Sequence, residues 1–93
     1  MREGISALLV HDEAEPLGAL QAALEGLSVR TYHARSCREA MRLLEQSTSP
    51  HVVFTDPMLP DGTWADVVRL AAKAPAATNV IVVGRLADVR FYV

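Results

Sequence analysis

The chain has 93 residues, which bounds it to one domain spanning residues 1–93. An apolar fraction of 51% argues against disorder, and a net charge of −2 from interspersed acids and bases offers no basic field for nucleic acid and no lysine-rich stretch for a membrane surface. One cysteine, Cys37, excludes an internal disulfide, the start Met1-Arg2-Glu3-Gly4 lacks a signal peptide's apolar core, and no window approaches the roughly 20 apolar residues of a membrane span, so a soluble cytoplasmic protein is expected.

Residues 5–10 (ISALLV) form a short apolar run that ends at His11-Asp12-Glu13. Leu17, Leu20, Leu24 and Leu27 follow three or four apart and predict one helical stripe, started near Pro16 and stopped near Gly26. Residues 29–34 (VRTYHA) are β-branched and aromatic and alternate as a strand does. Ser36-Cys37-Arg38-Glu39 reads as a capping box, with Ser36 at the N-cap and Glu39 reaching back. The helix it opens is expected to turn Ala40, Met41 and Leu44 inward and to end near Gln46.

Val52–Thr55 is the third predicted strand, closed by Asp56. Thr63 and Asp66 have the spacing of another helix start, Val67, Val68 and Ala71 continue it, and Pro75 marks its stop. Asn79–Val83 (NVIVV) is the fourth strand, and residues 85–93 are expected to begin a fourth helix. Strands alternating with helices imply a parallel sheet with right-handed crossovers and helices on both faces. Runs such as SALLV and NVIVV, apolar at consecutive positions, suit strands buried on both sides.

Ligands of open parallel sheets bind beyond the carboxyl ends of the strands, where the strand order reverses. His11, Asp12 and Glu13 end the first strand and Asp56 ends the third, so the acids meet in one cleft if these strands are neighbours. Converging carboxylates raise one another's pKa or demand a cation, and Mg²⁺, which takes few protein carboxylates, is the natural partner. Pro57 biases Asp56 towards extended backbone, and Pro60-Asp61-Gly62 reads as a turn.

The segments LLVHDE and VVFTDPMLPDG resemble the receiver domain of bacterial two-component response regulators. The resemblance covers nearly the whole chain, and the stretch from Asp56 to Gly62 is its most specific part. It implies an α/β, flavodoxin-like (CheY-like) doubly wound sheet with the four strands present in the order 2-1-3-4. It implies further that Asp56 is the phosphoacceptor of a sensor histidine kinase, that Asp12 binds Mg²⁺ with Glu13 as its acidic neighbour, and that Met58 offers the metal a backbone carbonyl. Pro60 and Arg85 fall near this site. An output domain or downstream protein is the implied reader; no direct contact with nucleic acid or membrane is expected of this segment.

Three departures accompany the resemblance. His11 stands where the family usually has an acid, which implies weaker Mg²⁺ binding or a metal more tolerant of nitrogen. Gly84 stands where the family has a serine or threonine that contacts the phosphoryl group. The family's fifth strand, with its lysine, and fifth helix are not in the sequence, so the fourth strand is expected to be an exposed apolar edge. That edge implies either a fragment of a longer regulator or a homodimer that covers it. The departures also leave open a pseudo-receiver, an interaction module without the chemistry. A haloacid-dehalogenase-like phosphatase would need a second aspartate where Met58 stands, and a turnover enzyme is not expected.

Overall fold

The computed structural model describes residues 4–13, 17–46, 50–74 and 78–84, and the backbone of 89–92. The elements in chain order are β1 (Ser6–Val10), α1 (Leu17–Gly26), β2 (Arg30–Ala34), α2 (Cys37–Glu45), β3 (Val52–Thr55), the short pair β4 (Met58–Leu59) and β5 (Gly62–Thr63), α3 (Trp64–Ala72), β6 (Asn79–Val83) and β7 (Val89–Tyr92). Four strands run parallel, as the alternation of elements predicts, and in the order β2-β1-β3-β6, which is the order the resemblance implies. Consecutive apolar residues in β1 serve two cores. Leu8 and Val10 face α2 and α3 with Ala34, Cys37, Ala40, Leu44, Val53, Val67 and Val80, whereas Ala7 and Leu9 face α1 through Leu17, Leu20 and Leu24. Each fully buried Leu or Val contributes roughly 1.5–3 kcal/mol of transfer free energy.

The helix ends show which local signals hold. α1 stops at Gly26, but the stop is made two residues on: Ser28 takes a left-handed φ of 63°. Its N–H donates to the Glu25 carbonyl and that of Val29 to the Leu24 carbonyl, the paired bonds that close a helix in a Schellman motif. Leu27 lies in this closing turn and is 75% exposed, so it leaves the predicted stripe. In α2 the Ser36 hydroxyl accepts from the Glu39 N–H at 3.1 Å, but the Glu39 carboxylate passes over Ser36 and accepts from the Arg35 N–H at 2.8 Å. Met41 was expected inward; Cys37, Ala40 and Leu44 form the buried stripe instead, and Met41 stands on the flank, 39% exposed. The Thr63–Asp66 start is a complete capping box. The proposed boundaries at Pro16 and Pro75, and Arg85, lie outside the described residues.

The tail overturns one expectation. Residues 89–92 do not begin a helix; they form β7, which pairs antiparallel with β6, Val83 opposite Val89 and Val80 opposite Tyr92. The sheet therefore has five strands, and the edge of the fourth predicted strand, expected to be exposed, is paired with β7 instead. The reason lies in residue type: Val89, Phe91 and Tyr92 favour extended backbone, and β6 presents a row of donors and acceptors for them to satisfy.

Candidate functional site

The chain leaves β1 for β2 on one side of the sheet and returns to place β3 on the other, so the order reverses between β1 and β3. Their carboxyl ends are in register, Val10 opposite Thr55. The ladder runs one bond further, with the Asp56 N–H on the Val10 carbonyl at 3.0 Å and the His11 N–H on the Ala34 carbonyl at 2.9 Å. Asp56 is consequently fixed at the strand tip and is only 9% exposed. The Thr55 hydroxyl donates to the Asp56 carbonyl at 2.9 Å, so the backbone here is held on both sides.

Asp56 opens into a cleft of about 520 Å³ lined by Asp12, Glu13, Asp56, Pro57, Met58, Leu59 and Pro60. The predicted acids thus share one cavity, with Met58 and Pro60 on its far wall. Gly84 directly follows β6 and is half-buried. His11 belongs elsewhere: its ring borders an adjoining groove of about 320 Å³ with His33 and Arg35, against which Asp12 and Glu13 also lie. The His11 Nδ1 meets the Glu13 carbonyl, and since a carbonyl only accepts, that nitrogen carries the proton. The His11 and His33 rings face each other at 5.8 Å between centroids. The Asp12 carboxylate approaches the Arg35 guanidinium at 3.9 Å, a contact between half or more exposed side chains.

What the cleft offers a metal is two carboxylates, Asp12 and Asp56, and the Met58 backbone; among the described residues no three His, Cys, Asp or Glu side chains close on one point. That donor set suits a hard cation that keeps several waters, and does not make a cage for zinc.

The wall after Asp56 is tied into the fold by a residue read from sequence only as part of a turn. Asp61 sits at the tip of the β4–β5 hairpin and accepts from the Cys37 N–H at 2.7 Å and the Arg38 N–H at 3.0 Å, the first two of α2. These bonds hold its carboxyl below the ordinary carboxylate value. Gly62 leaves room beside it: a Cβ there would stand 2.5 Å from Asp66 Oδ2 and 2.9 Å from Cys37 Sγ, so one of these side chains would have to shift. Cys37 packs in the core, and burial, then the Asp61 charge, pushes its thiol up to about 11, which leaves it unreactive. Nothing local announces the Asp61 contact, because its partners lie 24 and 23 residues away.

No family model and no curated protein matches the chain. Solved structures do. The chain is similar to the non-phosphorylated HemR receiver domain from Leptospira biflexa, at 25% identity and a TM-score of 0.73, covering 90% of this chain and 67% of that one. It is similar to a response regulator receiver protein from Pseudomonas putida, at 25% identity and a TM-score of 0.76, over 90% of this chain and 70% of that one. A response regulator receiver domain protein from Clostridium thermocellum matches at 27% identity and a TM-score of 0.73, over 86% of this chain and 64% of that one. No helix among the described residues is long and apolar enough to cross a membrane. With the strand order, the reversal point and the buried aspartate already in place, these matches identify the architecture: over about 90% of its length the chain has the fold of a response regulator receiver domain.

Proposed function

We propose that the chain is a phosphoacceptor receiver domain of bacterial two-component signalling, working in the cytoplasm, and that Asp56 is its acceptor. The observation that carries this reading is a nearly buried carboxylate at the carboxyl end of β3, at the reversal point, in one cleft with Asp12 and Glu13. A carboxylate oxygen of Asp56 attacks the phosphorus of a phosphohistidine on a sensor kinase; the new O–P bond forms as the N–P bond breaks, and the freed imidazole takes up a proton from solvent. Asp12, Asp56 and the Met58 carbonyl would hold Mg²⁺, which supplies charge neutralisation at the phosphoryl oxygens. The chain accepts one group per cycle and hands the change to an output domain or partner; it does not turn over a substrate.

The test is incubation with Mg²⁺ and acetyl phosphate, read by intact mass. One hydroxylamine-labile phosphoryl adduct is expected on the wild type and none on Asp56→Ala. No wild-type adduct, or an equal one on the variant, overturns the reading. The His11 side favours a second reading, a pseudo-receiver that binds partners without phosphorylation. There the usual acid is replaced by an imidazole engaged with Glu13 and turned to the neighbouring groove. On that reading beryllofluoride with Mg²⁺ leaves the amide spectrum unchanged while a partner still binds; a Mg²⁺-dependent response rules it out.

A further inference from the structure

We infer that Asp61 is a positioning residue for the acceptor cleft: by fastening the β4–β5 hairpin to the N-terminus of α2 it sets where the Met58 backbone stands relative to Asp56. The inference deepens the receiver reading and rests on it. Met58, Leu59 and Pro60 form one wall of the cleft, and Met58 and Leu59 pair with Thr63 and Gly62 alone. A hairpin of two residue pairs does not hold its own shape in water. At its root the Trp64 N–H donates to the Pro57 carbonyl at 3.1 Å, and Leu59 is packed in the core. At its tip the fastening is Asp61, with one carboxylate oxygen on each of two N–H groups that α2 cannot satisfy itself.

The Ser36 hydroxyl takes the next donor, that of Glu39, so Asp61 does not duplicate the helix's own cap. Bonds from helix N–H groups to a carboxylate are charge-assisted and aligned with the helix dipole, and therefore among the stronger available here. α2 is in turn held to the sheet by Cys37, Ala40 and Leu44. The cleft wall is thus referenced to the core through a side chain that touches neither metal nor phosphoryl group.

The experiment compares wild type, Asp61→Ala and Asp61→Asn by circular dichroism, amide hydrogen exchange and Mg²⁺ titration followed by the fluorescence of Trp64, the single tryptophan. Asp61→Ala is expected to keep the fold, to speed exchange at Cys37, Arg38, Met58 and Leu59 together, and to weaken Mg²⁺ by roughly tenfold, as loss of a group that orients a metal ligand does. Asp61→Asn retains one acceptor oxygen and should recover part of the affinity. A plain helix cap would move exchange at Cys37 and Arg38 only, with Mg²⁺ affinity unchanged, and that result overturns the inference. If Asp61→Ala does not fold, Asp61→Asn against wild type decides on the same two readouts. A wild type without Mg²⁺ response or adduct counts against the receiver reading, and positioning then stands or falls on whether exchange at Met58 and Leu59 follows that at Cys37.

Discussion

The wall of the cleft that follows β3 and the wall that follows β1 both carry acids beside a strand end, yet they are held by different forces. The first is fastened at every few residues: Asp56 by the ladder, Pro57 by Trp64, Leu59 by the core, Asp61 by α2 and Thr63 by Asp66. The second, His11 to Glu13, continues the ladder through the His11 N–H on the Ala34 carbonyl, then has a ring-to-carbonyl bond from His11 to Glu13 and a 3.9 Å contact between exposed Asp12 and Arg35. Long-range bonds and core packing carry the first wall, while Asp12 and Glu13 on the other stand exposed to solvent.

The contrast can be broken most directly at Gly62. Gly62→Ala puts a methyl against Cys37 Sγ and Asp66 Oδ2 and should cost about 1–3 kcal/mol, seen as a lower urea midpoint. An unchanged midpoint would mean the hairpin wall is as yielding as the other. Acid is a gentler probe. Asp61 and Asp66 both titrate below their ordinary value of 3.8, Asp61 through the Cys37 and Arg38 N–H groups and Asp66 through the Thr63 N–H and Arg69. A depressed folded pKa stabilises above the unfolded value and is lost as pH falls through the folded one. Urea midpoints should therefore drop below about pH 4, and drop less steeply in Asp61→Asn.

Ser28→Gly tests the contrast from outside. It relieves a left-handed backbone at a site remote from both walls and should stabilise by about 0.5 kcal/mol while leaving Mg²⁺ affinity alone. A change in affinity would show that overall stability, and not the fastening of one wall, governs the cleft. Smallest of all, Arg35→Ala should shift stability by under about 0.5 kcal/mol, because the Asp12 contact is exposed and long. A larger loss in thermal unfolding would mean that the β1 wall is fastened after all.

Much of the architecture was legible because its causes are local. Four consecutive apolar residues in β1, Ala7 to Val10, require burial on both faces, and the Thr63–Asp66 spacing makes its own cap. The place of Asp56, at the strand tip and in one cleft with Asp12, was legible because Pro57 behind it biases it to the extended backbone of a strand end. Errors fell where a neighbour in space outweighed a neighbour in sequence. Leu27 continues the leucine spacing but lies in the turn that Ser28 closes, turned out to solvent. Residues 89–92 follow the open side of β6, and pairing there overrides the helix expected of the tail.

The sequence by itself determined the four parallel strands, the three helices between them and the two strand ends that carry acids, since periodicity and residue chemistry act over a few positions. Tertiary structure alone decided that His11 lies by His33 in a groove of its own, that Asp61 binds the hairpin to α2 where Gly62 leaves room for Cys37, and that the β6 edge is paired. Each joins residues distant along the chain, whose mutual approach is set by packing of the whole sheet and its helices and is written in no single segment.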